Sequence, residues 1–373
     1  MLEKKLIKGS DVVGLKRFII DKVSEFADFC AFGLQNKYYK YLFNNELTHF
    51  EGINEPLSAE YKKQIKDVWE KRYNTKVDMR WFAHYAHCYG EESPLYIPDN
   101  IFHSIIEPYF NRDEYFRCMS NKNYFEKWLP NLKHVTTIVR NIKNTWYDSD
   151  FNFLTDEDVV EKLSVYTEIV VKQSVDSAGG AGVQFISDKI TMEKLQEIKR
   201  SFKDDFIIQE VLTQHDCLNE IYPHSVNTIR IMTFNWHGKI HVLSSLLRMG
   251  VDGNRVDNMV SGGVNCAIGE DGSLCNKLYN AVGALFEGHP NSGSVEGKKI
   301  ENFQAVVNCA CQAHKYLPYM GLISWDFALS KNGEPVLVEF NIKPQGLDLH
   351  QRENGPIFGN MTLDVLDEVF KNK

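Results

Sequence analysis

Over roughly the first ninety residues, apolar positions such as Val13, Leu15, Phe18, Ile19, Val23, Phe26 and Phe29 recur at helical spacing, and Ser58 stands where it would cap a segment running through Trp69. From about residue 120 the texture changes. Short β-prone runs over 168–172, 183–186, 206–210, 227–234 and 240–248 alternate with helical stretches at 192–202 and 303–316, and 362–370 predicts a closing helix. Two further apolar runs, 321–329 and 334–341, flank a Lys331-Asn332-Gly333 turn and predict a paired hairpin. Gly, Ser and Pro cluster near 90–98, which predicts a boundary between a mostly helical front, residues 1–94, and an α+β body, residues 95–373.

The closing hairpin carries the strongest chemistry. Each of its runs places a carboxylate, Asp326 or Glu339, among residues that would otherwise be buried. Glu339 and Asn341 are two positions apart, so both project from one face of a strand, where Asp326 on the neighbouring strand can meet them. Three hard oxygen donors suit Mg²⁺, with Mn²⁺ as a substitute, and Mg²⁺ usually completes its shell with water and substrate phosphates. The alternative is that the two carboxylates pair with basic residues in a structural network.

A second signal lies upstream. The run 169–172 ends in Lys172, and a glycine-rich stretch follows with Ser177, Gly179, Gly180 and Gly182 before the next strand. Such a turn lets backbone N–H groups approach phosphate oxygens, and a lysine at the strand end adds a point charge. The order GxxxxGK[ST] is absent and a strand follows, so the loop is a hairpin over a nucleotide and not a P-loop. The run 206–212 ends in Gln209, Glu210, Val211 and Leu212, suited to hydrogen-bonding an adenine edge between aliphatic side chains.

Composition narrows the choice of function. With 373 residues and 43% hydrophobic content the chain can build real cores. A net charge of -8 argues against nucleic acid or an anionic membrane as partner. Eight cysteines without a CxxC pair predict reduced thiols and a cytoplasmic setting, and no run approaches the ~18 apolar residues of a membrane span. Aromatics such as Tyr38, Tyr39, Tyr41, Phe43, Trp81, Phe82 and Tyr85 are expected mainly in a core. His84 and His87, three apart, lack a third metal ligand close by.

The ordered series of lysine strand, glycine hairpin, helix, hinge strand, basic strands and Asp…Glu-x-Asn resembles the ATP-grasp superfamily, and more closely its sugar-transfer-associated branch. Asn227-Thr-Ile-Arg230, Asp257-Asn258 and Ser261-Gly-Gly263 carry the closer likeness. The resemblance implies an ATP-grasp fold, two α+β subdomains clamping ATP, with a lid over about 130–210. It implies phosphate contacts from Lys122 and Lys172, a hinge at Gln209 to Leu212, a ribose acid at Asp216, and metal ligands Asp326, Glu339 and Asn341. Ser324 stands where amino-acid ligases of the superfamily carry an arginine, so the cation facing the developing oxyanion is expected from Arg230 or Arg248.

The expected activity is an ATP-dependent carboxylate–amine ligase that forms an amide through an acyl phosphate, serving surface polysaccharide or glycoconjugate synthesis. Its partners would be a small carboxylate and an amine, such as a sugar acid and an amino acid, and enzymes of a glycosyltransferase pathway. A small-molecule kinase on the same scaffold and a non-catalytic nucleotide-binding scaffold are the alternatives.

Overall fold

The computed structural model describes residues 34, 38, 41–43, 45–112, 114–115, 119–175 and 182–371, with Val260 described in its backbone alone. The helix expected over residues 13–29, Tyr39, and Ser177, Gly179 and Gly180 lie outside the described residues. Thirteen strands among the described residues form two sheets, paired antiparallel throughout.

The first sheet has the order β3-β2-β1-β6-β4-β5, built from β1 (Thr137–Ile142), β2 (Thr145–Tyr147), β3 (Phe153–Leu154), β4 (Ile169–Gln173), β5 (Val183–Ile186) and β6 (Phe206–Glu210). Strand alternation divides its faces. Val139, Ile169, Val171, Phe206 and Ile208 meet the helices Asp156–Leu163 and Met192–Phe202 through Val159, Leu163, Leu195 and Ile198. Val170 and Lys172 project from the opposite face into a large cavity.

The second sheet has the order β11-β10-β9-β8-β7-β12-β13, from β7 (Thr228–Trp236), β8 (Lys239–Met249), β9 (Val264–Ala267), β10 (Lys277–Tyr279), β11 (Leu285–Glu287), β12 (Leu322–Leu329) and β13 (Pro335–Asn341). Ile229, Ile231, Leu247, Ile323, Trp325 and Phe327 pack on one face against helix Phe303–His314. The intervening residues Thr228, Arg230, Arg248, Ser324 and Asp326 all line the cavity on the other face. Further along that face the lining turns apolar. Met232, Phe234 and Leu322 share a core with Trp69, Trp81 and Phe102 of the helical front, whose helical segments continue past residue 94 to Phe110, and with Val365 and Val369 of helix Thr362–Lys371. The aromatics of the front are thus mostly core, as their spacing predicts, while Tyr38 and Tyr41 are exposed.

Buried polar groups fix the hairpin to this front. Asn111 is fully buried and uses its whole amide: Nδ2 donates to the carbonyls of Leu322 and Ile342, each at 2.7 Å, and Oδ1 accepts from the N–H groups of Gly321 at 2.9 Å and Leu322 at 3.0 Å. Glu107, also fully buried, accepts from the Gln345 N–H at 2.6 Å and from His103 Nδ1 at 3.0 Å. Leaving such groups unpaired would be costly, so the contacts specify where the hairpin ends.

Candidate active site

The space between the two sheets is a cavity of about 670 Å³, within the usual size for a small-molecule site. Its floor is the hairpin. In the pairing of β12 with β13, Asp326 faces Glu339 and Ser324 faces Asn341, so the three oxygen-bearing side chains emerge on the same side. A bulge between Asp326 and Phe327 shifts the phase of β13 only before Glu339, which keeps Leu337 and Phe340 in the core while Glu339 and Asn341 face the cavity.

Basic residues meet these carboxylates. Arg230, opposite Asp326 on β7, donates from Nε to Oδ1 and from Nη2 to Oδ2, both at 2.7 Å. Arg248 Nη1 reaches Oδ2 at 3.3 Å, and Asn341 Nδ2 donates to it at 3.2 Å. Burial alone would raise the Asp326 carboxyl, but Arg230, Arg248 and Asn341 outweigh it and hold the group below the usual carboxylate range. Burial likewise works against the Arg230 cation, and Asp326, Asp257 and Glu339 together more than offset it. Glu339 Oε1 accepts from Lys122 Nζ at 3.0 Å. The metal reading and the ion-pair reading of these carboxylates therefore describe one cluster, because their basic partners are the residues expected to hold phosphates and a developing oxyanion.

Lys172 enters from the other sheet. Burial lowers its ammonium to about 8, against the pull of Glu339 and Asp257 and with the repulsion of Lys122. Gly182, with φ +78°, closes the far end of the loop and lines the cavity, its carbonyl accepting from the Gln173 N–H at 3.0 Å. The left-handed conformation there favours glycine.

The hinge divides differently from expectation. Glu210, Val211 and Leu212 line the cavity, but the Gln209 side chain turns to the first sheet, where Nε2 donates to Thr137 Oγ1 at 3.1 Å and contacts the Val135 carbonyl at 3.4 Å. Gln209 is in register with Val170 and so stands on the cavity-facing side of the sheet, and its hydrogen bonds to Thr137 and Val135 draw its tip aside. Asp216 is also misplaced by counting along the sequence: it begins the helical turn Asp216–Asn219 at the surface, pairs with Lys331 at 2.5 Å, and is not part of the cavity wall. Ser324, where an arginine was expected in other ligases, is buried and donates from Oγ to Gln345 Oε1 at 2.5 Å.

Sequence reading missed the far end of the cavity. Glu46 and Asp99 from the helical front, with Asp348 at the start of helix Leu347–Asn354, form an acidic wall. Burial and then the charge of Asp348 raise Asp99 to about 7. The residue types alone gave no signal, since nothing in the sequence brings position 46 near 348.

Two other candidates resolve simply. His84 is a buried core residue lowered to about 3 by burial, its Nδ1 beside the Glu51 carbonyl, while His87 pairs with Glu55. His215, Cys217 and Glu301 bring ligand-type atoms within 4.8 Å of one another. His215 Nδ1, however, accepts from the Cys217 N–H as a helix cap, which leaves the proton on Nε2, the nitrogen facing Glu301 at 3.9 Å.

The comparison that decides kinship covers most of the body: residues 103–363 match the sugar-transfer associated ATP-grasp family. The chain belongs to that family. Its fold is the α+β ATP-grasp fold, carrying a helical front. Among solved structures, this ATP-grasp chain is similar to an L-amino acid ligase from Bacillus licheniformis, at 17% identity and a TM-score of 0.39, over 68% of this chain and 48% of that one. It is similar to D-alanyl-alanine synthetase A from Vibrio cholerae, at 10% identity and a TM-score of 0.40, over 68% and 65% of the two chains. A third is the ATP-grasp ligase PsnB complexed with a minimal precursor, at 13% identity and a TM-score of 0.41, over 69% and 64%. The family member described here thus spans between about half and two thirds of the length of these structures. No curated protein matches it. Among the described residues no helix is long and apolar enough to cross a membrane.

Proposed function

We propose that the protein is an ATP-dependent carboxylate–amine ligase, producing an amide, ADP and phosphate by way of an acyl phosphate. The observation that carries this reading is the charge layout of one cavity: Lys122, Lys172, Arg230 and Arg248 gather around Asp326, Glu339 and Asn341 at one end, and Glu46, Asp99 and Asp348 line the other. Cations suit a triphosphate and an activated carboxylate. Carboxylates suit a cationic amine, which a kinase acceptor would not require.

In this reading the first sheet, residues 137–210, is the lid subdomain, and Glu210, Val211 and Leu212 flank the adenine. Lys122 and Lys172 hold the phosphates as point charges. Two carboxylates and an amide oxygen, paired in register on adjacent strands, fit Mg²⁺ or Mn²⁺ by the hardness of their donors. When bound, the cation would offset phosphate charge and favour transfer of the terminal phosphoryl group. Arg248 and Arg230 face the carboxylate being phosphorylated and meet the charge that develops there. The amine, bound as its ammonium against Asp99 and Asp348, gives up one proton to become nucleophilic, attacks the acyl carbon, loses a second proton and expels phosphate. The substrates are proposed to be a sugar acid and an amino acid or related amine, in surface polysaccharide or glycoconjugate synthesis in the cytoplasm.

The test is phosphate release from ATP against pools of sugar acids and amines, followed by mass analysis. The ligase reading expects release only when both substrates are present and a product joined by loss of water. A stable phosphorylated product formed from one acceptor alone would replace it with the kinase reading.

A further inference from the structure

The metal reading of Asp326, Glu339 and Asn341 leaves a conflict to be explained, because each carboxylate is already neutralised by the chain itself. Both oxygens of Asp326 are taken by the two-pronged guanidinium of Arg230 at 2.7 Å, and Oδ2 has two more donors, from Arg248 at 3.3 Å and Asn341 at 3.2 Å. Asn341 thereby turns its amide nitrogen, not its oxygen, toward Asp326. Glu339 is held by Lys122 at 3.0 Å. In the surrounding wall the cations Lys122, Lys172, Arg230 and Arg248, joined by Arg255 and Lys343, outnumber the carboxylates Asp257, Asp326, Glu339 and Glu210. A bare divalent cation would enter a region already cationic on balance and would have to break a paired, charge-assisted fork.

We infer that Arg230 occupies the cation's seat on Asp326 in the nucleotide-free protein and gives it up when a triphosphate arrives, so that metal and nucleotide bind with strong positive coupling. The inference rests on the ligase reading's metal site and adds to it an exchange of partners. The polyphosphate supplies the anionic charge that Arg230 and Lys122 lose when they release their carboxylates, so neither buried cation is stranded. Arg230 Nη1 is the guanidinium nitrogen that is not bonded to Asp326. Arg230 lines the cavity, so its guanidinium already borders the space that a ligand would enter. Planarity matters as well: the fork fits a carboxylate and a phosphoryl group alike, which lets one side chain serve both states.

The exchange is read by electron paramagnetic resonance of Mn²⁺ binding to the full chain, without nucleotide and with a non-hydrolysable ATP analogue. The expected result is weak binding of bare Mn²⁺ by the wild type and binding at least tenfold tighter by Arg230→Gln, with the gain erased when Asp326→Asn is added. Bare-metal binding by Arg230→Gln equal to or weaker than wild type overturns the inference, and so does a gain that survives Asp326→Asn. If Arg230→Gln does not fold, as judged by circular dichroism, Arg230→Met removes the cation while keeping an extended side chain, and absence of any gain there is equally decisive. Failure of the underlying reading looks different: Asp326→Asn and Glu339→Gln would then leave Mn²⁺ binding in the presence of the analogue unchanged.

Discussion

Lys122 Nζ lies 3.0 Å from Glu339 Oε1 and so joins the 3-10 turn Lys122–Tyr124 to the strand that carries the candidate metal ligands. The same lysine backbone N–H donates to the Ser174 carbonyl at 3.0 Å, just past Lys172, so both lysines proposed to bind phosphate are tied to one piece of structure. Replacing Glu339 with Gln keeps the shape and removes the charge. ADP release should fall by about 10²–10³-fold, with an unchanged circular dichroism spectrum; turnover at the wild-type rate would remove Glu339 from the site.

Lys172 predicts proton uptake on nucleotide binding. Its folded-state value, brought down to about 8 by burial, means that a growing fraction is neutral as pH rises through 8. Phosphates favour the ammonium and raise that value again. Binding of ATP near pH 9 should therefore take up protons, seen in calorimetry as a heat that varies with buffer ionisation enthalpy, and affinity should decline above pH 8. Lys172→Arg, charged throughout, should remove most of both effects.

The acidic wall predicts selectivity. Asp348→Asn should raise the KM for the amine by about tenfold, the loss of one charge-assisted contact, with the KM for ATP little changed. Equal effects on both would place Asp348 in general folding and not in amine recognition.

Asn111 predicts stability. Asn111→Ala removes four hydrogen bonds in a buried setting, although Gln345 Nε2 still donates to the Leu322 and Ile342 carbonyls and the Gly321 N–H still donates to the Phe110 carbonyl. Urea denaturation should show a loss of at least about 3 kcal/mol. A loss below about 1 kcal/mol would mean that other contacts fix the hairpin.

Acid sensitivity follows from His84, His314 and His350, lowered by burial to about 3, 4 and 3. Their folded-state values lie below the unfolded one, so the stability they leave intact at neutral pH is lost as pH falls below 6.5. Each contributes a slope of about 1.4 kcal/mol per pH unit down to its folded value. His103, which Glu107 and its neighbours raise against burial, acts in the opposite sense. Thermal unfolding should shift steeply downward between pH 6.5 and pH 4, and a flat profile would mean these rings are solvated.

Much of the fold was legible where alternation or helical period was strong. The expected runs at 183–186 and 206–210 coincide with β5 and β6, and 192–202 is a helix over the expected residues. What escaped notice has a common cause: buried polar side chains erase the pattern. Strand β1 buries Arg140 and Asn141, and helix Leu347–Asn354 buries His350, Gln351 and Arg352, so neither shows a clean apolar face. The three hairpin residues were readable because their relation is local. The grip of Arg230 on Asp326 was not, since it depends on β7 lying beside β12, ninety-six positions apart in sequence. Gln209 and Asp216 show the converse, where a family pattern laid onto positions by counting gives way to local side-chain hydrogen bonds and a surface turn.

Because Trp69, Trp81 and Phe102 lie against Met232, Phe234 and Leu322, the stretch that matches the family is not a self-sufficient body. A fragment starting at residue 103 would bare a greasy flank of its central sheet and forfeit Glu46 and Asp99 from the reaction chamber. Recombinant work aimed at the family region alone would then recover insoluble material, and the failure would say nothing about whether the intact enzyme can turn over.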